Sequence, residues 1–253
     1  MERAPAVEGM FYPASKQELE GQLKAFAVSS APRGDVHGII VPHAGYIYSG
    51  FTAAHGYSLL KGQRYDLIVL LGPSHHFGYR GVTQDGHDAW RTPLGSSRID
   101  YALLGNGLAT SNDAHAPEHS LEVQVPFLQH YGIAGPLAPL LVGMVSDAEA
   151  RRLAELLAEA AKRHRVLFVV SSDLSHYLPR DECRRHDDKS ITTIEQLDTA
   201  HWDAIDACGR YPLRIIMHLC RQMGWTPRLV HKSDSGDAGG SIRSVVGYAA
   251  LSF

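Results

Sequence analysis

The sequence predicts a three-layer α/β/α sandwich, in which helices cover both faces of a central, largely parallel or mixed sheet. Three short apolar runs carry this prediction, at residues 38–41, 67–71 and 166–170. Near-continuous Val, Ile and Leu over such lengths are typical of strands buried on both faces, as in parallel sheets. Capped amphipathic segments lie between these runs and would supply the two helical layers.

The first strand–helix–strand unit occupies the N-terminal third of the chain. Ser15 and Glu18 have the spacing of a capping box, which predicts a helix with Leu19, Leu23 and Phe26 on one face. After the strand at 38–41, we expect Ser49 to cap a helix that runs to about residue 61. The strand at 67–71 follows it.

The second unit lies in the middle of the chain and has the clearer helix signals. A strand is predicted at 137–142, followed by a second capping box at 146–149 and a helix with Leu153, Leu156, Leu157 and Ala160 at core spacing. That helix leads to the strand at 166–170. Pro212 is predicted at the first position of a later helix and Gly224 at its end, before a last strand at 244–251.

Composition limits the classes of protein to which the chain could belong. We expect one domain over residues 1–253, because no linker-like stretch divides the chain. The net charge of −3 and the lack of a basic stripe argue against a nucleic-acid partner, and no run of 18 apolar residues predicts a membrane span. We therefore expect a cytoplasmic protein, whose three cysteines are reduced and structural.

Histidine-bearing polar clusters follow each of the three buried strands. His43 follows the first, His75 and His76 follow the second, and Asp173 and His176 follow the third. In open α/β sheets, ligands bind at the carboxyl ends of the strands, so these side chains are expected along one edge. Three imidazoles and a carboxylate there would form a metal site or an acid–base site.

A structural role remains an alternative for each of these residues. His43 could bond a loop carbonyl, and the cluster at 171–176 could be only a polar turn at a strand end. In the functional interpretation, Asp173 orients the His176 ring or accepts a proton from it. Neighbouring residues of an extended segment point to opposite sides, so at most one of His75 and His76 would face the pocket.

Two further polar segments are ambiguous from the residues alone. At 118–120, Ser120 could cap a helix with Glu118 near its positive end. The segment at 233–240 is a loop of small residues with two carboxylates. The chain has no G-x-S-x-G serine-hydrolase elbow and no Walker or G-x-G-x-x-G nucleotide loop.

Taken together, these segments resemble the Memo-like family, whose bacterial and archaeal members are labelled AmmeMemoRadiSam system protein B. The likeness runs nearly end to end and rests on ordered motifs: PAVEGMFYP at 5–13, PHAGY at 42–46, GPSHH at 72–76, RTPL at 91–94, EHSLEVQVP at 118–126, SSDLSH at 171–176, ACG at 207–209, SGD at 235–237 and VVGYA at 245–249. The resemblance implies a fold similar to the class III extradiol dioxygenases.

The resemblance also implies a site. By analogy with those dioxygenases, His43, His75 and Asp237 would be metal ligands, while His176 with Asp173 would form the acid–base pair and His119 would join the pocket. Two histidines and a carboxylate suit non-haem Fe(II), with copper or zinc as alternatives.

Three functions are open at this point. One is a metal-dependent oxidoreductase acting on an unknown small molecule. Another is a non-catalytic binding or adaptor protein that uses the same pocket for an anionic or phosphorylated ligand or peptide. The third is an inert protein that takes part in complex formation, with the histidine cluster as a polar core. By resemblance, a radical-SAM protein and an AMMECR1-like protein would be partners.

Overall fold

The computed structural model of the chain describes residues 1–28 and 35–253. Its strands are β1 (Glu2–Arg3), β2 (Gly38–Val41), β3 (Leu67–Pro73), β4 (Val82–Gln84), β5 (Ala89–Thr92), β6 (Gly95–Arg98), β7 (Ala109–Thr110), β8 (Leu137–Val142), β9 (Val166–Ser171), β10 (His176–Leu178), β11 (Arg228–Asp234) and β12 (Val245–Ser252). Its α-helices are α1 (Lys16–Ala25), α2 (Tyr46–Ser58), α3 (Asn112–His115), α4 (Val125–His130), α5 (Asp147–Arg163), α6 (Arg180–Glu195) and α7 (Arg210–Met223). Short 3₁₀ segments occupy Ala102–Leu104, Glu122–Gln124 and Thr199–Ala204.

Nine strands form a mixed sheet in the order β10-β12-β2-β9-β3-β8-β4-β7, with β11 also paired to β12. Strands β2, β9, β3 and β8 are parallel to one another and form the centre. On one side β4 runs antiparallel to β8, and on the other β12 runs antiparallel to β2. Strands β1, β5 and β6 make a separate three-stranded sheet.

The two faces of the sheet lie in two different hydrophobic cores, which confirms the predicted α/β sandwich. Every residue of β3 is buried. Its side chains alternate between the cores: Ile68 and Leu70 pack with residues of α1, α2 and α4, whereas Val69 and Leu71 pack with residues of α5, α6 and α7. Burial on both faces is the reason for the unbroken apolar pattern of these strands.

The predicted strands are confirmed within one or two residues. Strand β2 has the predicted bounds, β3 continues to Pro73, and β9 includes Ser171. Strand β8 has the predicted bounds, and β12 lies one residue further along the chain than expected.

Helices α1 and α5 begin where their caps predict. The Ser15 hydroxyl accepts a hydrogen bond from the amide of Glu18. At α5, Ser146 and Glu149 each accept from the other's backbone amide, which completes the capping box. Beyond the cap, packing of the apolar face supplies most of the stability of such a helix.

The predicted start of α2 is wrong by one turn. The helix begins at Tyr46, after Gly45, and ends at Ser58 rather than near residue 61. Ser49 lies inside it and donates its hydroxyl to the carbonyl of Ala44. A serine in a first turn can bond a preceding carbonyl instead of capping, and a glycine cap leaves no side-chain signal.

Helix α7 begins at Arg210, so Pro212 is its third residue rather than its first. A proline is tolerated there because the first-turn amides have no partner within the helix. Gly224 ends the helix in the left-handed conformation, as predicted, with φ of 72°. None of the helices in residues 1–28 and 35–253 is long and apolar enough to cross a membrane.

Candidate metal centre

Sheet order brings three predicted loops together. Strand β9 lies between β2 and β3, and the three strands are parallel, so their carboxyl ends are neighbours. His43, His75 and Asp173 each lie two residues beyond the end of their strand. The predicted clustering at one edge is therefore found.

His43 is buried and held on two sides. Its backbone amide donates to the Asp173 carboxylate at 2.7 Å, and its Nδ1 lies 2.8 Å from the hydroxyl oxygen of Ser171. Its Nε2 lies 3.1 Å from the sulfur of Cys208. Burial lowers the pKa of His43 well below its ordinary value, and the neighbouring His75 lowers it further. The ring is therefore neutral at pH 7.

His75 is oriented by a buried carboxylate. Glu118 accepts from the backbone amide of His75 at 2.6 Å and from its Nδ1 at 2.9 Å. The amides of His119 and Ser120 donate to the same carboxylate. Burial would raise the pKa of Glu118, but the hydrogen bonds from His75 outweigh it and hold that pKa far below its usual range. An ionised Glu118 fixes the proton of His75 on Nδ1 and leaves its Nε2 with a lone pair.

Glu118 therefore does not serve as a helix-terminal charge, and Ser120 caps no helix. The Ser120 hydroxyl donates instead to the carbonyl of Pro73, at the end of β3. This bond ties the 118–120 segment to the strand that carries His75.

His119 completes a cluster of imidazoles. Its ring stacks on His75 with centroids 4.6 Å apart and lies edge-on to His43 at 5.5 Å. Burial lowers the pKa of His119 to about 4. His75 lines the cavity and His76 does not, so one member of the His75–His76 pair faces the pocket.

Cys208 supplies a further possible metal-ligand atom, although the sequence predicts that the cysteines have a structural role. Ligand atoms of His43, His75 and Cys208 all lie within 4.8 Å of one another. Cys208 comes from the loop before α7, where the amide of Gly209 donates to the Ser172 hydroxyl at 3.0 Å. A Cβ on Gly209 would lie 2.5 Å from Ser172, so only glycine lets the helix start approach the end of β9 this closely.

The donor set fits a transition-metal ion. Nitrogen and sulfur ligands about 2.1 and 2.3 Å from a tetrahedral zinc ion lie about 3.6 Å apart. The His43 nitrogen and the Cys208 sulfur are 3.1 Å apart, so the two groups would separate slightly to admit an ion. Burial and the nearby Asp173 charge raise the pKa of the Cys208 thiol, so a cation would be needed to stabilise its thiolate.

The structure does not bring Asp237 to these histidines. Its carboxylate lies 2.9 Å from the guanidinium of Arg180 and 3.7 Å from that of Arg184, and it is 44% exposed. It also accepts from the backbone amide of Asp234. The two carboxylates of the 233–240 loop therefore have a structural role, since their contacts hold the turn between β11 and β12.

Asp173 and His176 both line the cavity beside His43. Asp173 accepts from the amides of His43 and Ala44, and the described residues include no hydrogen bond between its carboxylate and the His176 ring. Burial raises the pKa of Asp173 to about 6. Tyr177, next to His176, has the strained positive φ of 61° and is 76% exposed.

The cavity has a volume of about 480 Å³. Aromatic side chains and serine hydroxyls form much of its wall, among them Phe11, Tyr48, Tyr248, Ser235 and Ser241. A cavity of about 690 Å³ lies elsewhere, between the 35–36 segment and β11, and includes none of the clustered histidines. The titratable groups identify the smaller cavity as the candidate site.

Five of the six predicted site residues thus share one cavity, and Asp237 is the exception. Cys208 was missed as a donor, although the Ala207-Cys208-Gly209 block was already among the recurring motifs. The sequence offers only one indication of a ligand here, a single cysteine next to a glycine that precedes a helix. It lacks the paired cysteine spacing that marks most cysteine metal sites.

Comparison with known proteins identifies relatives of the whole chain. The family model described as "Memo-like protein" matches residues 3–252. A "MEMO1 family protein" of Methanosarcina acetivorans is 35% identical over 266 residues, covering 98% of each chain. One of Aquifex aeolicus is 36% identical over 266 residues, covering 99% of this chain and 98% of the relative.

A crystal structure of an uncharacterized protein from Escherichia coli K12 has a similar fold. Its TM-score is 0.57 at 12% sequence identity, over 87% of this chain and all of that one. At this identity the likeness concerns the arrangement of helices and strands alone.

Proposed function

The chain belongs to the Memo-like family, and from that premise we propose that it is a metal-dependent oxidoreductase acting on a small molecule. The proposed ligands are His43, His75 and Cys208. The observation that supports the proposal is the convergence of their donor atoms within 4.8 Å, beside a cavity that His43 and His75 line. Both imidazoles direct Nδ1 to a fixed partner, which leaves each Nε2 for the ion.

The proposed ion is Fe(II), with copper or zinc as alternatives. Replacing the expected carboxylate of Asp237 by the sulfur of Cys208 makes the donor set softer, which strengthens both alternatives. When bound, such an ion supplies Lewis acidity and, if it is iron or copper, one-electron chemistry.

The chain's own residues would bind the substrate and move its protons. His119 is neutral and lies beside His75, so its free nitrogen can accept a proton from a hydroxyl bound there. His176 also lines the cavity and is proposed as a second proton carrier. Asp173 contributes by holding the backbone of His43 and Ala44 in place.

The cavity wall favours a substrate with an apolar face and polar edges. Phe11, Tyr48 and Tyr248 present aromatic surface that excludes water, while Ser235 and Ser241 offer hydroxyls at the rim. This mixture orients a small molecule between the imidazoles and the loop that follows β11.

Metal analysis of untagged protein, purified without chelators and under both anaerobic and aerobic conditions, tests the proposal. We expect about one ion per chain in the wild type. His43→Ala and Cys208→Ser should weaken binding by more than about 100-fold, beyond the loss seen for outer-shell partners.

Asp237→Asn is the matched control for the third ligand. Because Asp237 bonds Arg180 instead of facing the histidines, its substitution should leave metal affinity unchanged. If Asp237→Asn abolishes binding while Cys208→Ser does not, the ligand set proposed here is incorrect. Wild-type protein that binds no divalent ion at micromolar concentration would refute the proposal itself.

A second candidate function is capture of an anionic or phosphorylated ligand without turnover. It is favoured by the position of Ala44 and Gly45, which line the cavity where α2 begins with its positive dipole end. Binding of phosphate or a phosphopeptide that is unaffected by chelators would support it. Proposed protein partners, a radical-SAM protein and an AMMECR1-like protein, rest on the family resemblance and are tested by co-purification.

A further inference from the structure

A chain of buried polar side chains lies behind His43, on the side away from the cavity. Its members are Tyr57, Gln124 and Ser171, and each is essentially inaccessible to solvent. They come from α2, from the 3₁₀ segment after Glu118 and from the end of β9. Buried polar groups require partners, so the direction of each hydrogen bond can be worked out.

The amide of Gln124 can take only one orientation. Its nitrogen lies 3.0 Å from the carbonyl oxygen of Pro42, and a carbonyl can only accept, so the nitrogen is the donor there. Its oxygen accepts from the Tyr57 hydroxyl at 2.9 Å. The second hydrogen of the same nitrogen is directed at the Ser171 hydroxyl oxygen, 2.8 Å away.

The Ser171 hydroxyl has a single proton, and the surroundings decide where it goes. The hydroxyl oxygen lies 2.5 Å from the carbonyl oxygen of Ser120, which can only accept, so the proton is given to Ser120. One lone pair of Ser171 accepts from Gln124. The other lies 2.8 Å from Nδ1 of His43, and that contact is a hydrogen bond only if Nδ1 carries the proton.

We propose that Gln124 and Ser171 are positioning residues that fix His43 as the Nδ1–H tautomer and so direct its Nε2 lone pair to the cation. This inference rests on the proposed metal function for its purpose, although the tautomer itself can be measured without a metal. The opposite tautomer would place two lone pairs 2.8 Å apart inside the protein, since Ser171 has no second proton to give.

The two histidine ligands are thereby fixed by different chemistry. His75 donates to the charged Glu118, whereas His43 donates to a neutral hydroxyl whose orientation is determined by two backbone carbonyls. A neutral network fixes the tautomer without adding a second buried negative charge beside Asp173.

Nitrogen-15 NMR of the imidazoles tests the tautomer directly, because a protonated ring nitrogen and one with a lone pair have well-separated chemical shifts. The His43 signals are assigned by their loss in His43→Ala. In metal-free wild-type protein at neutral pH, we expect Nδ1 to be protonated and Nε2 to be bare. Cobalt(II) titration of the same samples gives the metal affinity.

Ser171→Ala removes the acceptor, so we expect a mixture of tautomers and cobalt affinity lowered about 10- to 100-fold. Gln124→Met removes the donor to one lone pair of Ser171 and leaves the hydroxyl held by the Ser120 carbonyl alone, so it should give the same change near the lower end of that range. If Ser171→Ala does not fold, Gln124→Met still tests the proposal.

Ser190→Ala is the matched control. Ser190 is equally buried, donates to the carbonyl of His186 and accepts from the amide of Asp206, but lies on α6 away from the cavity. It should change neither the His43 shifts nor the cobalt affinity.

The possible failures are distinct. Wild-type protein that holds the Nδ1–H tautomer but binds no cobalt would refute the proposed metal function and leave the hydrogen-bond assignment standing. If His43 carries its proton on Nε2, or if both variants keep the wild-type tautomer and affinity, the positioning role of Gln124 and Ser171 is overturned.

Discussion

The two buried carboxylates of the site, Asp173 and Glu118, are pushed in opposite directions by their surroundings. Burial dominates at Asp173 and raises its pKa to about 6. At Glu118 the donors from His75 and neighbouring amides outweigh burial and lower the pKa. Glu118 therefore stays ionised at mildly acidic pH, whereas Asp173 passes through its titration midpoint near pH 6.

Asp173→Asn should remove a pH dependence from the stability of the metal-free protein. The folded pKa of about 6 exceeds the ordinary value of 3.8, so the native state binds more protons than the unfolded state between these values. Wild-type stability from this group is therefore present below about pH 4 and is lost as pH rises through about 6, by up to about 3 kcal/mol. Urea unfolding of both proteins across this range measures the difference.

Asp203→Asn, at an exposed carboxylate, is the control for that series. The wild type should lose stability relative to Asp173→Asn as pH increases, while the control should follow the wild type throughout. A difference between Asp173→Asn and wild type that does not vary with pH would contradict the assigned titration.

Some residues of the site can be predicted from the sequence, and others cannot. His43, His75 and Asp173 were found because each follows a recognisable buried strand. Cys208 follows no strand, and its proximity to His43 depends on how α7 docks against β9. Asp237 was chosen by analogy, and no local pattern could reveal that Arg180 and Arg184, 57 and 53 positions away, would occupy its carboxylate.

Among the elements, α7 begins in close contact with the end of β9. Gly209→Ala would place a methyl group 2.5 Å from Ser172 and 2.9 Å from the Ser171 carbonyl, so the helix start must move. We expect a loss of about 1–3 kcal/mol in the free energy of unfolding, together with weaker metal binding because Cys208 moves as well. Chemical denaturation and cobalt titration measure the two effects.

Gly21→Ala is a matched control, for which we expect a gain in stability instead of a loss. Gly21 lies within α1 and a Cβ there would meet nothing within 4 Å. This substitution should stabilise the protein by about 0.5–1 kcal/mol and leave metal binding alone. Equal behaviour of the two alanine variants would contradict the close approach described for α7.

Elements were predictable where the sequence pattern and the final environment agreed. Strands β2, β3 and β9 are buried on both faces, so their apolar runs were unambiguous. Strands β6 and β7 are exposed and polar, and α6 has a polar sequence from Arg180 to Glu195 with few apolar positions. Their formation depends on neighbours in space, which a local pattern does not contain.

Across the whole molecule, a buried ion pair fastens the N-terminal segment to the segment behind the site. Arg3 and Glu122 are 2.7 Å apart and almost wholly buried. Glu122 also accepts from the amides of Ala6 and Val7 and from the Tyr12 hydroxyl. This network accounts for the 5–13 motif, since it places Phe11 at the cavity wall.

Arg3→Ala should destabilise the protein by about 3–5 kcal/mol, because it leaves the Glu122 carboxylate buried without its cation. Arg98→Ala, which breaks the exposed pair with Asp100, should change stability by less than about 1 kcal/mol. Thermal and urea unfolding of the two variants measure these changes in stability. A small effect of Arg3→Ala would mean that Glu122 is satisfied by its other donors.

Metal binding should stabilise the entire fold, because the ion would join the loops that follow β2 and β3 to the loop before α7. At a metal concentration about 100-fold above Kd, the expected gain is about 2.7 kcal/mol. Scanning calorimetry of wild type should show a higher Tm with zinc or cobalt than with chelator. The double variant His43→Ala/His75→Ala should show the same Tm in both.

The loops that join β2 to His43 and β3 to His75 are short, and this limits where residues can be inserted in the chain. His43 and His75 each follow a strand end by only two residues. One added residue in an extended segment advances the chain by about 3.3 Å, more than the roughly 2 Å bond between a metal and an imidazole. We expect an insertion at either position to carry its ring out of reach of the ion, and an insertion in the β5–β6 hairpin, whose second strand is largely exposed, to be tolerated.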